Sequence, residues 1–299
     1  MKIIIKIILI VLAVGFSSCF RLDANLFNND KKIKEYKLDN FTGDQDFILD
    51  ASYHIQDSMI HLFTLNSKMA GESTSKKIYA IYLGDMNRIA TDTVIMYCHG
   101  NKWHMDFYWQ REKLLAHVGG KHHYGILMID YRGYGLSEGD PSEDGMYADV
   151  DAALQWLAFK GLTGQRLIMY GFSLGTAPVC KLTAEPGSLV PAKFILEAPF
   201  ASAAKMVADA SQLSMPASFV TNLKIDNSEE IKKISQPFMW MHGTDDTFLG
   251  MTEHGQVVYD NYHGTYKEAH KIAGAGHSTV PIKYGFSNYL ADIYTFIKR

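Results

Sequence analysis

No block of basic residues runs through this chain: 29 Lys and Arg face 32 Asp and Glu, leaving a formal charge of −3. A protein that grips phosphate backbones carries a basic patch, so no nucleic-acid partner is expected. Metal chemistry lacks its usual sequence supports as well, since neither a His-Glu-x-x-His helix nor a paired Cys-x-x-Cys occurs. No glycine-rich phosphate loop is present, so no cofactor is expected. Cysteine is scarce, with only Cys19, Cys98 and Cys180 in 299 residues. The last two sit in apolar contexts and read as buried hydrophobes rather than a disulfide. Internal repeats and low-complexity blocks are absent. A chain of this length can enclose one large core around a broad sheet.

The amino terminus stands apart from that core. "MKIIIKIILIVLAVGFSSCF" opens with Lys2 and Lys6, continues with an apolar stretch from Ile7 to Phe16, and ends on Ser17 and Ser18 before Cys19. The stretch is shorter than the ~20 residues a helix needs to span a bilayer, and the pattern is that of a signal peptide over 1–18. "FSSC" resembles the lipobox of bacterial lipoproteins, although Phe16 replaces the leucine usual at its first position. The resemblance implies a lipidated Cys19 and a membrane partner reached through that anchor, with the domain in the bacterial cell envelope outside the cytoplasm. Residues 19–46, rich in Asn, Asp and Lys, read as a tether or loosely docked arm.

From 47 onward the chain alternates strands and helices. Segments 47–55, 59–65 and 78–83 read as opening antiparallel strands. Apolar runs at 93–98, 124–130, 166–171, 193–198, 237–242 and 266–273 follow, with helical patterns at 106–118, 144–160, 174–184, 251–262 and 284–298 between and after them. Strands that are apolar throughout, each followed by a helix, predict an α/β fold with a mostly parallel sheet covered on both faces. Ligands bind such sheets beyond the carboxyl ends of the strands.

At one such end lies "LIMYGFSLGTA", in which Gly171 and Gly175 flank Ser173. A sharp strand-to-helix turn holds a serine in a strained conformation, and side chains at 171 or 175 would collide with neighbouring backbone. A serine hydroxyl needs a base, itself oriented by a carboxylate. "HGTDDTFL" follows the penultimate strand and supplies Asp245 and Asp246, while "AGAGHST" follows the last strand and supplies His277.

Five stretches in order, "CHGN" at 98–101, "DYRGYGLSEG" at 130–139, "GFSLGT" at 171–176, "HGTDD" at 242–246 and "GAGHS" at 274–278, resemble landmarks of the α/β-hydrolase superfamily. The resemblance covers the chain from about residue 58 to its end. It implies Ser173 as nucleophile, His277 as general base and Asp246, in preference to Asp245, as acid, with Glu197 in "LEAPF" as an alternative acid. It also implies an oxyanion hole built from the main-chain amides of Leu174 and Asn101. His99, His242, Asp130 and Arg132 read as loop-bracing residues. The segment at about 200–236 is where family members insert caps; here it is short, and its apolar residues either line an acyl pocket or pack a helix on the sheet. The sequence resembles the esterase and depalmitoylase-like branches more than long-capped relatives, departing from them at Lys102-Trp103-His104. The expectation is a serine hydrolase acting on a small-molecule or acyl-chain ester or thioester. An amide or peptide hydrolase, and a non-catalytic ligand-binding protein on the same scaffold, are the alternatives.

Overall fold

The computed structural model describes residues 27–29, 33–120, 124–211 and 221–299. The signal peptide, Cys19 and Leu213, Met215, Phe219 and Val220 of the cap segment lie outside the described residues.

Eight strands form one sheet: β1 (Ile60–Ser67), β2 (Lys76–Leu83), β3 (Val94–Cys98), β4 (Gly125–Ile129), β5 (Leu167–Phe172), β6 (Lys193–Glu197), β7 (Phe238–Gly243) and β8 (Lys267–Ile272). Their order is β8-β7-β6-β5-β3-β4-β2-β1. β2 runs antiparallel to both β1 and β4, and the remaining pairs are parallel. The helices used below are α1 (Met105–Leu115), α2 (Glu143–Phe159), α3 (Thr176–Ala184), α4 (Ala203–Ser211), α5 (Gly255–Asn261) and α6 (Phe286–Lys298).

The sheet divides two cores, which explains why the central strands are apolar at every position. Val94, Met96 and Cys98 of β3 point to one side, where α2, α3 and α5 contribute Val150, Val179 and Val258. Ile95 and Tyr97 point to the other, where α1 and α6 contribute Leu114 and Ile293. Both faces are therefore covered. Cys98 and Cys180 are free and buried. Among the described residues, no helix is long and apolar enough to cross a membrane.

One sequence-based expectation is corrected, and one is made specific. Residues 47–55 form no strand; they run as coil with a 3-10 turn at Ala51–Tyr53. Their alternation is one of burial, with Phe47, Leu49 and Ile55 inserted into the α1 side of the core, and the Leu49 amide donates to Gln110 Oε1 rather than to a strand. Residues 33–46, read as part of a tether or loosely docked arm, are laid along α1. The Lys37 and Leu38 amides donate to Asp106, Trp109 Nε1 donates to Asp39, and Arg111 Nε donates to Asp46. Within the cap segment, Phe200 and Ala203 join the core, Met206 packs against it, and Val207 is buried. For these residues helix packing, not pocket lining, explains the apolar pattern.

Candidate active site

Register brings the site residues to one edge. Cys98 pairs with Gly171 and Ile272 with Gly243, so the loops after β3, β5, β7 and β8 leave the sheet on the same side. Ser173 follows β5 directly with φ +53°, a left-handed conformation that L-residues rarely adopt. Its flanking glycines are sterically required. A Cβ at Gly171 would lie 2.5 Å from the Gly175 carbonyl oxygen, and one at Gly175 would lie 2.0 Å from that of Cys98. The turn then runs through a 3-10 segment, Ser173–Gly175, into α3.

Three sequence-selected side chains meet there. Ser173 Oγ donates to His277 Nε2 at 2.9 Å, and His277 Nδ1 donates to Asp246 Oδ2 at 2.8 Å. Asp246 Oδ1 accepts the amides of Phe248 and Leu249 at 2.9 and 2.8 Å. Burial alone would raise this carboxyl, but hydrogen bonds from His242 and His277, the His277 charge and the Leu249 amide hold it well below the ordinary carboxylate range. It is thus an anion suited to holding the imidazole in one tautomer and one orientation. Asp245 lies apart, accepting from Thr244 Oγ1.

Glu197 does not join this chain of bonds. One of its oxygens accepts from Arg111 and the other from Tyr170 and Tyr289, all buried beneath the site. Asn101 follows β3 beside the elbow, and its Oδ1 accepts from Tyr134 Oη at 2.6 Å. The main chain at Asn101 and that at Leu174 leave from the neighbouring strands β3 and β5. His99 Nε2 lies 3.2 Å from Asp130 Oδ1, and Arg132 binds Asp149 through both its main-chain amide and its guanidinium. These residues hold the loops that frame the site.

His242 does more than brace a loop. Trp240 Nε1 donates to its Nδ1 at 3.2 Å, which leaves Nε2 as the protonated nitrogen, 3.0 Å from the Leu249 carbonyl and 3.2 Å from Asp246 Oδ2. Arg111 lies in the helical pattern of 106–118 and in none of the five recognised stretches. It is nevertheless buried, with its guanidinium stacked 4.1 Å over the Phe172 ring and donating to the Ser278 carbonyl at 2.6 Å. Phe248 and Phe172 flank the His277 ring with centroids at 5.0 and 5.3 Å. A cavity of about 210 Å³ opens over Ser173 and His277, lined also by Asn28, Asp46, Lys102, Phe107 and Phe248.

This sheet order, with a serine at a strained strand-to-helix turn bonded to histidine and aspartate, defines the α/β-hydrolase fold and the serine hydrolases as a class. Solved structures agree on the fold. Esterase Pf2001 of Pyrococcus furiosus superposes with a TM-score of 0.65 over 92% of this chain and 98% of its own, at 15% identity. Esterase RhEst1 of Rhodococcus gives a TM-score of 0.58 over 80% and 98%, at 18% identity. The family model described as serine aminopeptidase, S33, matches residues 90–236. Alpha/beta hydrolase domain-containing protein 17B of Xenopus laevis is 29% identical over 208 residues, and the human protein of that name is 28% identical over the same length. These matches cover 69% of this chain and 66% of each relative, slightly under two thirds of the relatives' length. The chain has the α/β-hydrolase fold, and its sequence is similar to that family model and to these hydrolase relatives.

Proposed function

We propose that the protein cleaves a carboxylic ester or thioester through an acyl-enzyme on Ser173. The observation that carries this reading is the unbroken run of hydrogen bonds from Ser173 Oγ through His277 to Asp246 at the carboxyl edge of the sheet. Ser173 Oγ attacks the carbonyl carbon as its proton passes to His277 Nε2. The negative charge that forms on the carbonyl oxygen is met by the main-chain amides of Leu174 and Asn101, donors of a kind worth roughly 10²–10³ in turnover each. Collapse expels the alcohol or thiol, which takes the proton from His277. A water molecule then attacks the acyl carbon, His277 accepts its proton, and breakdown returns that proton to Ser173 Oγ as the acid leaves. Asp246 stays ionised throughout and stabilises the imidazolium.

The substrate class follows from the cavity. Phe107, Phe172 and Phe248 offer apolar walls, while Asn28 and Lys102 add polar ones. At about 210 Å³ it lies below the ~300–1,000 Å³ typical of small-molecule sites, so a short acyl group, or the carbonyl end of a longer one, fits it. The matched family model, described as serine aminopeptidase, favours an amide or small peptide as the second reading. On the sequence pattern around Cys19, the enzyme is a lipid-anchored protein of a bacterial envelope.

Labelling of the folded protein by a fluorophosphonate probe tests the reaction. Labelling is expected in the wild type and lost in Ser173→Ala and His277→Ala. p-Nitrophenyl esters, acyl thioesters and p-nitroanilides then separate the two readings. A folded wild type that neither labels nor turns over any of them would refute both.

A further inference from the structure

The stretch before residue 47 does more than connect. Asn28–Asn29 pairs in parallel with Lys102–Trp103, directly after the Asn101 loop. The Asn28 amide donates to Asn101 Oδ1 at 3.0 Å, the oxygen that Tyr134 Oη also binds. Asn29 Nδ2 donates to the Gly133 carbonyl, and Phe27 is buried in the core on the α2 side. Trp103, held in this pairing, has φ +59°, a strained conformation for an aromatic residue that persists only where the surroundings fix it.

Further along, Asp46 Oδ2 accepts Arg111 Nε at 2.8 Å. That guanidinium is matched on its other side by Glu197 at 3.0 Å, donates to Ser278 next to His277, and covers the ring of Phe172 next to Ser173. One rigid fork therefore spans the elbow and the histidine loop, and one of its two carboxylates belongs to the amino-terminal segment. Both Asn28 and Asp46 line the cavity over Ser173.

We infer that the amino-terminal arm is a positioning part of the active site, with Asn28 setting the Asn101 loop and Asp46, through Arg111, setting Phe172 and the His277 loop. The inference rests on the serine hydrolase reading. Its physical basis is that a buried guanidinium keeps its geometry only while its carboxylate partners hold it. Loss of Asp46 leaves Arg111 paired with Glu197 alone, and the fork is free to swing toward it and away from Ser278. Loop displacements of about an ångström cost up to ~10²-fold in rate when they disturb reacting groups.

Asp39 provides the internal control. It docks the same arm, but on Trp109 and Lys113, neither of which lines the cavity. The test compares Asp46→Ala, Asp46→Glu, Asn28→Pro, which removes the donated amide, and Asp39→Ala in the full-length chain. It measures kcat and KM on p-nitrophenyl acetate, the rate of fluorophosphonate labelling, and Tm. Asp46→Ala and Asn28→Pro are expected to lose roughly 10- to 100-fold in kcat and labelling rate with KM little changed. Asp46→Glu should recover most of the loss, and Asp39→Ala should keep wild-type rates. Should Asp46→Ala not fold, Asp46→Asn, which keeps the shape and loses the charge, takes its place. Rates no lower than those of Asp39→Ala at matched Tm, or an effect confined to KM, would overturn the inference while leaving the hydrolase reading intact. An inert folded wild type overturns both.

Discussion

In the proposed reaction Asp246 carries two loads at once, catalytic and structural. Its Oδ2 receives His277 and its Oδ1 receives two main-chain amides of its own loop. Replacing it by Asn leaves a side chain that presents N–H where acceptors are needed, and kcat is expected to fall about 10⁴-fold in steady-state assays. The same substitution has a pH signature in thermal melts. A carboxyl held below its ordinary value stabilises the folded state above about pH 4, and that contribution drains away as pH falls toward the folded value. Asp246→Asn is therefore expected to lower Tm at pH 7, with a deficit that narrows as the pH drops below about 4. A deficit constant across pH would show that the ionised form adds nothing. At this scale the sequence was most legible. The glycines at 171 and 175, the serine between them and the aspartate four residues after His242 each answer a local steric or chemical demand that the order of residues displays.

At the scale of elements, α1 is the instructive case. Its pattern "MDFYWQREKLL" looks half solvated, yet Gln110, Arg111, Glu112 and Lys113 are all buried, and the amino-terminal arm meets Gln110, Arg111 and Lys113 through Leu49, Asp46 and Asp39. Three of the four gain partners there or at the site. Glu112 does not: it is fully buried and both carboxylate oxygens lack a hydrogen-bond partner. Burial pushes its carboxyl well above the ordinary value. The unfolded chain ionises this group near pH 4.3 while the folded chain resists, so stability is complete below that pH and is lost as pH rises from there toward the folded value. Glu112→Gln removes the loss. Its Tm is expected to match the wild type near pH 4 and to exceed it increasingly toward pH 8; a variant less stable at pH 8 would mean that Glu112 has a partner in solution. Strand 47–55 was misread for a related reason. Alternating burial records only which side chains point inward, and pairing requires a neighbouring strand with free amides and carbonyls.

Under the proposed function, the whole molecule joins a hydrolase domain to a lipid anchor at Cys19. The arm fixed to α1 and to the Asn101 loop means that the domain begins earlier than residue 47, so an anchor at Cys19 would lead into the active-site face after only a few residues. Cys19→Ser tests the anchor. It is expected to move the protein from the membrane fraction to the soluble fraction of cells that process lipoproteins, with fluorophosphonate labelling of the domain retained. Membrane retention by the variant would assign attachment to the uncleaved apolar segment instead.

The order of residues alone determined the alternation of strands and helices, the covered parallel sheet, and the serine, aspartate and histidine at its carboxyl edge. Each of these depends on periodicity or on steric demands between near neighbours, which a linear sequence records. The tertiary structure alone decided that Arg111 lies under the elbow, that His242 supports Asp246, that Glu197 is occupied elsewhere, and that residues 28 and 46 border the cavity. Apart from the His242–Asp246 pair, those facts depend on contacts between residues distant in the chain, such as Asp46 with Arg111, 65 positions apart, and Arg111 with Ser278, 167 apart. No local pattern encodes such contacts, because a charged side chain looks the same in sequence whether water or a buried carboxylate meets it.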